Sequence, residues 1–401
     1  MPDSRILIVY PYPSIDTNPT MALLLESLAK RKIRVDVLAP GGEGFLVPES
    51  FGETVHLERL PEPFFRQWFS IRGLPKRIAR NLVRSSGSCP TRFDPIIFGF
   101  FHAKRYSAIV GVDPFGIVVA DRLNRWANKP LVYISFEILF RDEMVTASER
   151  ELKEFELAAC RRTSLVLIQD EERADAFCRE TSIADNKLVM VPVAPPPQEI
   201  IKSDYLRKSL NIPSGKRVVL YCGNLESWAS RDELAELVGH WPEEYCLVVH
   251  NRSKVNQRME QYLNRLAQTG KVYVSFDPVN RKEMANLVAS ADFGLAPYKP
   301  IPDNWWTGKN LYHLGLASGK VAFYAMCGLP ILARSLPVFE REFTKYKCGM
   351  TYNRMSETDT CLREMTQKYD SYSEESRRFY RERLNPSSAA SKFCDRLIGL
   401  S

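Results

Sequence analysis

The chain has 401 residues, 45% of them hydrophobic and 26% charged, which indicates two folded domains and excludes a largely disordered protein. Its formal net charge of +7 favours anionic ligands, nucleic acid or an anionic membrane surface, without distinguishing among them. No apolar run reaches the roughly 18 residues of a membrane-spanning helix, and the start, MPDSRILIVY, does not resemble a signal peptide. We therefore expect a cytoplasmic protein, with peripheral attachment to the inner face of the cytoplasmic membrane as an alternative.

The nine cysteines are scattered, with no CxxC pair and no spacing typical of zinc ligands. Several lie inside apolar runs such as VVLYC and EYCLVV. This pattern predicts buried free thiols in a reducing compartment rather than disulfides or a zinc site. No metal site is expected.

Short apolar runs alternate with amphipathic stretches along the first half of the chain. The strand-like runs are RILIVY, VDVLA, AIVGVD, PLVYISFE and SLVLIQD, and the helical stretches include MALLLESLAKRK and GIVVADRLNRWA. This order predicts a parallel sheet with crossover helices. The strands do not alternate between apolar and polar residues, so both faces of the sheet should be covered.

One segment, 61–106, departs from this alternation because it combines aromatic residues with many arginines and lysines. It could lie on an anionic membrane surface or bind a phosphate-bearing acceptor. It could equally be an insertion whose aromatic residues cover the sheet while its basic residues are solvated. Nucleic-acid binding is not expected, because the positive charges of the chain do not form one stripe.

The alternation stops at VPVAPPPQE, where three successive prolines predict a stiff connector. It resumes with RVVLYCGN, EYCLVVHN, KVYVSFD and ADFGLAPY, separated by helical stretches over 231–240, 254–269 and 281–290. The sequence thus predicts two Rossmann-like α/β domains. Their predicted bounds are 1–195 for the first domain, 196–212 for a linker, 213–380 for the second domain and 381–401 for a C-terminal helix that packs back on the first.

The segment Ser318-Gly319-Lys320 precedes a helical run that stops abruptly at CGLP. Free N–H groups and the helix dipole at such a start suit a phosphate, and Gly319 allows close approach. A lysine in the first turn is unfavourable unless an anion is present, so Lys320 predicts an anionic ligand. The alternative is a solvated lysine at an ordinary helix start. A P-loop is excluded, because only three residues separate Gly315 from Gly319 and no hydroxyl residue follows the lysine.

The stretch GKVAFYAMCGLPILA, with ASADFGLAPY upstream of it, resembles the nucleotide-binding half of group 1 (family 4) glycosyltransferases of the GT-B fold. LVLIQDEERADAF, KLVMVPVAP and VVLYCGN are also similar to that family. The resemblance covers most of 1–30 and 105–400 and is weak at 40–105. It implies two Rossmann-like domains facing each other across a deep cleft, with the acceptor bound by the N-terminal domain and the donor by the C-terminal domain.

The family resemblance implies transfer of a sugar from a nucleotide-diphosphate sugar to a glycan, a lipid-linked acceptor or a small molecule. Such transfer usually retains the anomeric configuration and usually needs no metal, and no cofactor beyond the donor substrate is expected. The chain has no Asp-x-Asp pair, so fixed cations and N–H groups would neutralise the leaving diphosphate. Lys320 is the first candidate cation. Arg231 is the second, because the family places a basic pair in the loop and helix start that follow Gly223.

The chain departs from the family pattern at several positions. Asn224 stands where the family commonly has an arginine. The two family glutamates, separated by seven residues, would fall on Gly315 and Phe323, and neither is acidic. The nucleoside would then need other ligands, for which Tyr298 and Tyr324 are candidates.

Residues from three further parts of the chain complete the predicted donor site. His250 closes the strand EYCLVVHN and could line the base pocket, or be an ordinary buried histidine. The backbone near Val279 and Asn280 meets the base in relatives, and Pro19 and Thr20 stand where many relatives have a glycine pair. The predicted donor-binding set is Gly223, Asn224, His250, Val279, Asn280, Tyr298, Ser318, Gly319, Lys320, Phe323, Tyr324 and Thr20.

Asp113 and Glu137 both end predicted strands of the first domain. Either carboxylate could orient or deprotonate an acceptor hydroxyl, or could be a helix cap or an ion-pair partner. The pair Trp305-Trp306 could stack on a sugar or a base, or simply pack in its loop. Two other functions stay open: a GT-B scaffold protein without turnover, and an inverting transferase or epimerase that uses Glu137 or Asp113 as its base.

Overall fold

The computed structural model describes residues 5–12, 15, 18–40, 49–60, 103–251, 257–276, 279 and 281–400. The predictions for Asn280 and for most of the basic segment 61–106 therefore lie outside the described residues. The contacts divide the chain into two compact units. The first comprises Met1–Pro192, Asp303–Asn310 and Pro386–Ser401, and the second comprises Val193–Pro302 and Leu311–Asn385.

The described residues of the first unit form a seven-stranded parallel sheet with the order β3-β2-β1-β4-β5-β6-β7. The strands are β1 (Arg5–Val9), β2 (Arg34–Pro40), β3 (Val55–Leu60), β4 (Ala108–Val112), β5 (Leu131–Ile134), β6 (Thr163–Ile168) and β7 (Leu188–Met190). The helices are Pro19–Lys30, Asp113–Ala127, Ala147–Cys160, Glu171–Thr181 and Ser387–Gly399, with short 3-10 turns at Glu49–Thr54, Ala103–Arg105, Arg141–Glu143 and Asp185–Lys187. Every residue of β4 and β5 is buried, as expected for strands covered on both faces.

Local hydrogen bonds fix where the helices of the first unit begin. The Asn18 side chain accepts the N–H groups of Thr20 and Met21 at one helix start. Thr146 and Glu149 form a reciprocal capping box at another. These caps satisfy N–H groups that have no partner within a helix.

The described residues of the second unit form a six-stranded parallel sheet with the order β10-β9-β8-β11-β12-β13. The strands are β8 (Arg217–Cys222), β9 (Tyr245–His250), β10 (Val272–Ser275), β11 (Phe293–Ala296), β12 (Ile331–Arg334) and β13 (Gly349–Tyr352). The helices are Tyr205–Ser209, Leu234–Gly239, Gln257–Ala267, Arg281–Ala289, Gly319–Met326, Pro337–Tyr346, Thr358–Gln367 and Tyr369–Phe379, with 3-10 turns at Ser227–Ala229, Arg231–Glu233 and Met355–Glu357 and a π-helical turn at Tyr380–Leu384. One further short helix, Lys309–Tyr312, begins in the first unit and ends in the second. The prediction of two Rossmann-like α/β domains is confirmed.

The boundary between the units differs from the predicted one. The chain enters the second unit at Val193, and the residues predicted as a linker belong to that unit. Within them, Tyr205–Ser209 is helical and Leu206 is fully buried. The Arg207 guanidinium lies 2.6 Å from the Asp292 carboxylate. Apolar burial and this ion pair hold the segment against the second sheet.

The last helix, Ser387–Gly399, belongs to the first unit and contacts the helix Pro19–Lys30. The Arg31 guanidinium lies 2.9 Å from the Asp395 carboxylate, and Arg396 donates to the carbonyl of Leu188 at 3.0 Å. The first unit is thus built from three separate stretches of the chain.

Three observations concern the predicted chemistry of the whole chain. The eight cysteines that the structure describes are free thiols, and seven of them are buried. No helix in the described ranges combines the length and the apolar character needed to cross a bilayer. Among these same residues, no cluster of three or more His, Cys, Asp or Glu side chains could hold a metal ion.

Candidate functional site

The helix Gly319–Met326 begins where the sequence predicts it. Ser318 is the N-cap, and its Oγ accepts the N–H of Val321 at 3.3 Å. The same hydroxyl shares a 2.6 Å hydrogen bond with the Tyr298 hydroxyl. The left-handed backbone of Gly328 (φ 72°) follows the last turn, so local signals account for both ends of this helix.

Lys320, in the first turn of this helix, extends into a group of three aromatic rings. Its Nζ lies 4.1 Å from the ring centroid of Tyr221, 4.8 Å from that of Tyr298 and 5.5 Å from that of Trp228. Trp228 and Tyr298 stack on each other at 5.8 Å with an interplanar angle of 11°. We call Tyr221, Trp228 and Tyr298 the aromatic cage. The Nζ atom is buried, so Lys320 is not the solvated lysine of the alternative interpretation.

The loop after β8 lies beside the lysine. A Cβ atom on Gly223 would lie 3.4 Å from Lys320 Cε and 3.5 Å from Nζ, and the φ of 144° at Gly223 is one that favours glycine. The Tyr221 hydroxyl donates to the carbonyl of Asn224 at 2.6 Å, which ties the cage to this loop. The structure therefore brings Gly223, Ser318, Gly319, Lys320 and Tyr298 of the predicted set together.

Arg231, the second predicted cation, is held by acidic neighbours. Its guanidinium lies 3.0 Å from the Asp232 carboxylate and 3.6 Å from that of Glu226. The hydrogen bond to Asp232 is the main cause of the raised pKa of Arg231. Much of the charge of Arg231 is thus balanced within its own loop.

Two basic residues near the same loop are absent from the predicted set. Arg334 Nη1 lies 2.6 Å from the Glu233 carboxylate and 3.4 Å from Ser230 Oγ. Lys299 also pairs with Glu233, and its N–H donates to the carbonyl of Trp228 at 2.7 Å. Burial opposes ionisation of Glu233, but these two hydrogen bonds outweigh it and lower its pKa. Of Arg334, Lys299 and Glu233, only Lys299 could have been noticed in the sequence, because it directly follows the family-like stretch ADFGLAPY.

Other residues of the predicted donor set have structural roles. Tyr324 is fully buried; its hydroxyl accepts the N–H of Cys222 at 3.0 Å and donates to the carbonyl of Leu295 at 3.4 Å. Phe323 is buried in the core of the second unit. These placements argue against either side chain as a ribose ligand, because both are used in packing.

The remaining predicted donor ligands divide between the two units. His250 is fully buried in the second unit, and its Nδ1 lies 2.9 Å from Ser275 Oγ, as expected of an ordinary buried histidine. Val279 packs half-buried against the core of the second unit, and the side chain of Asn224 is exposed. Thr20 is a buried residue of the first unit, and its hydroxyl donates to the carbonyl of Pro192 at 3.1 Å.

In the first unit, Asp113 joins the ends of two neighbouring strands, β4 and β5. It is 1% exposed and has a left-handed φ of 56°. One carboxylate oxygen accepts the N–H groups of Phe136 (2.6 Å) and Glu137 (2.9 Å), and the other accepts the Tyr12 hydroxyl (2.7 Å). Burial, followed by the nearby charge of Glu137, raises the pKa of Asp113 to about 7. Both oxygens are engaged, so the geometry favours an anchoring role over that of a general base.

Glu137 is only half-buried and is held by residues that the sequence interpretation missed. Its carboxylate accepts a hydrogen bond from the Asn310 side-chain amide. The oxygen of that amide accepts the N–H of Ile138 at 2.9 Å and a bond of 3.3 Å from the buried Arg173. Burial raises the pKa of Glu137, and the positive charge of Arg173 opposes this shift. Asn310 gave no sequence signal, because it is more than 170 residues away from Glu137 in the chain.

Comparison with known proteins yields matches in structure alone. No protein-family model and no curated protein matches the sequence. Anabaena HepE, solved with UDP and glucose, has a TM-score of 0.69 at 14% identity, covering 99% of this chain and 100% of that one. WaaG, a glycosyltransferase involved in lipopolysaccharide biosynthesis, has a TM-score of 0.67 at 15% identity, covering 98% and 100%.

A third similar structure is the sucrose-phosphate synthase of Thermosynechococcus elongatus, with a TM-score of 0.69 at 13% identity over 99% of this chain and 100% of the other. All three likenesses extend over essentially the whole of both chains. At these identities they establish the fold. The chain therefore has the GT-B fold of these glycosyltransferases.

Proposed function

We propose that this protein is a glycosyltransferase that takes a sugar from a nucleotide-diphosphate sugar, with a UDP-sugar as the first choice of donor. The observation that carries the proposal is the position of Lys320, whose ammonium lies beside Gly223 at the amino end of the helix Gly319–Met326. HepE, which shares the fold, has been solved with UDP and with UDP-glucose, and this supports the uridine nucleotide.

In the proposed reaction, the bond between the anomeric carbon and the β-phosphate oxygen breaks, and the acceptor oxygen bonds to that carbon. Negative charge grows on the departing diphosphate, where Lys320 and the first N–H groups of its helix stabilise it. These groups supply the positive charge that a divalent cation would otherwise bring. We propose retention of configuration, with the acceptor proton passing to the leaving phosphate, because Asp113 already uses both of its oxygens.

The proposed acceptor is a glycan or a lipid-linked saccharide, as expected of an enzyme of polysaccharide biosynthesis. Peripheral association with an anionic membrane through 61–106 remains a sequence prediction. A second function is favoured by one observation: at the positions of the family glutamates the chain has Gly315 and a buried Phe323. A GT-B scaffold without turnover would fit this loss, and it would bind no nucleotide sugar.

Nucleotide binding and donor turnover test the proposal. The purified chain is screened by thermal shift with UDP, GDP, dTDP and CMP, and the release of UDP from UDP-sugars is then measured. A nucleotide at about a hundred times its dissociation constant adds about 2.7 kcal/mol to the free energy of unfolding. We expect stabilisation by UDP. A chain that no nucleotide stabilises would instead support the scaffold function.

The substitution Lys320→Met removes the charge while keeping the aliphatic chain inside the cage. A hydrogen bond to a charged group contributes about 1.5–3 kcal/mol, so UDP should bind roughly 10- to 150-fold more weakly. Lys345→Met is a matched control, because Lys345 Nζ also lies over an aromatic ring, that of Tyr346 at 4.9 Å, on a different helix of the same unit. Equal UDP affinity in the two variants would refute the proposed site.

A further inference from the structure

A short turn from the second half of the sequence is part of the first unit. Asp303–Asn310 belongs to that unit, although the residues on either side of it belong to the second. The Asn304 side chain accepts the N–H groups of Trp306 (3.0 Å) and Thr307 (2.9 Å). The N–H of Lys309 donates to the carboxylate of Glu143 at 2.8 Å. These bonds fix the conformation of the turn.

The turn presents two indole rings next to a third aromatic residue. The centroid of the Phe115 ring lies 6.3 Å from that of Trp305 and 6.2 Å from that of Trp306, and the two indoles are 5.4 Å apart. We call Phe115, Trp305 and Trp306 the aromatic platform. All three side chains are half-buried and pack on a small apolar cluster formed by Val118, Leu139, Met144 and Leu152. Each therefore keeps part of its surface accessible to a ligand.

One amide group connects the platform with a carboxylate. The Asn310 side-chain nitrogen donates both to the carbonyl of Trp306, at 3.0 Å, and to the carboxylate of Glu137. Phe115 lies just after the carboxyl end of β4, and Glu137 lies just after that of β5, the neighbouring strand. Ligands of open α/β sheets bind at this edge.

We propose that the aromatic platform and Glu137 form the acceptor subsite of the enzyme and that the acceptor is a carbohydrate. The C–H face of a sugar ring would pack on the platform while one of its hydroxyl groups donates to the Glu137 carboxylate. This inference rests on the proposed glycosyltransferase function and specifies its acceptor. Asn310 acts as a positioning residue, because its side-chain amide donates to both Trp306 and Glu137 and need not touch the sugar.

The chemistry of the subsite selects against other acceptors. A purely apolar chain would remove the Glu137 carboxylate from water without offering it a hydrogen bond, which is costly. A phosphate group would be repelled by the same carboxylate. A sugar ring offers an apolar face and hydroxyl donors together, so it satisfies both parts of the site.

Binding to an array of immobilised oligosaccharides tests the subsite, with UDP affinity measured in parallel on the same preparations. We expect the wild-type chain to bind one class of oligosaccharide. Replacement of both indoles, Trp305→Ala with Trp306→Ala, should weaken that binding at least about tenfold and leave UDP affinity unchanged. The double Phe variant should retain most of the binding. Tyr205→Ala, which removes an exposed aromatic side chain of the second unit, is the control and should have no effect.

Glu137→Gln provides a second variant that does not depend on folding of the double Ala variant, because the new amide is isosteric with the carboxylate. It should weaken oligosaccharide binding several-fold and also leave UDP affinity unchanged. The inference is overturned if the wild-type chain binds no oligosaccharide, or if the platform and Glu137 variants bind like the wild type. If the chain binds neither UDP nor UDP-sugars, the proposed function is wrong. The oligosaccharide array then still shows whether the aromatic platform binds a carbohydrate.

Discussion

Replacement of Asp113 by asparagine should make the protein more stable at alkaline pH. Asparagine can keep all three hydrogen bonds: its oxygen accepts the N–H groups of Phe136 and Glu137, and its amide donates to the Tyr12 hydroxyl. Asparagine also tolerates the left-handed φ of 56° better than most residues. The substitution therefore removes a charge with little other change.

The size of the effect follows from the pKa of Asp113. The pKa is about 7 in the folded chain, because of burial and the charge of Glu137, against about 3.9 in an unfolded chain. The folded state then binds more protons than the unfolded state between these values, so the wild-type stability falls as the pH rises from about 4 to about 7. The full loss in the free energy of unfolding is on the order of 4 kcal/mol, of which about 3 kcal/mol is lost between about pH 5 and about pH 8. Four titratable groups interact with the carboxylate, namely Tyr12, Tyr133, Glu137 and Arg173, and all four remain in the variant.

The assay is urea unfolding of both proteins at about pH 5 and about pH 8, with the transition of the first unit followed by fluorescence. The stability advantage of Asp113→Asn over the wild type should grow by about 3 kcal/mol from the lower pH to the higher. If the difference between the two proteins were the same at both pH values, Asp113 would be ionised throughout, and its burial would not control its proton.

Two further predictions concern packing in each unit. Gly111→Ala should destabilise the first unit by at least about 3 kcal/mol, because a Cβ atom there would overlap the backbone of Ile117. The control is Gly215→Ala, where a Cβ atom has open space and should cost under about 1 kcal/mol. Urea unfolding measures both, and equal midpoints for the two variants would contradict the prediction. Tyr324→Phe should cost about 1–3 kcal/mol by leaving the buried N–H of Cys222 without its acceptor. Calorimetry tests the loss, and a weaker UDP affinity in the folded variant would show that Tyr324 contacts the nucleotide after all.

The sequence predicted most of the strands, their parallel arrangement and the start of the Lys320 helix, because these features depend on local patterns. It did not predict β3 or β7. Apolar runs without alternation mark doubly covered strands, and Ser318 and Gly328 mark the two ends of one helix. The acidic neighbours of Arg231 were also visible, since Asp232 is adjacent in the sequence, but their effect on its charge becomes clear only with the distances.

The side-chain partners of the candidate site could not be predicted, because they come from distant parts of the chain. The aromatic cage joins rings from β8, the loop after it and the loop after β11. Asn310 meets Glu137 only because a turn of eight residues joins the first unit. The helical turn Tyr205–Ser209, which lies inside the predicted linker, was not predicted for a related reason: Leu206 is buried in the second unit, and proline content alone does not reveal that contact.

The division of the chain has a consequence for biosynthesis. The polypeptide passes between the two units four times, after Pro192, Pro302, Asn310 and Asn385. The first unit lacks its inserted turn until 303–310 have been synthesised and its last helix until 386–401 have been synthesised, so it is completed only after the whole of the second unit has been translated. No single cut at the proline-rich segment would yield two intact fragments. Expression of either unit alone should therefore require a gene in which the separate stretches of that unit are joined, rather than a simple truncation.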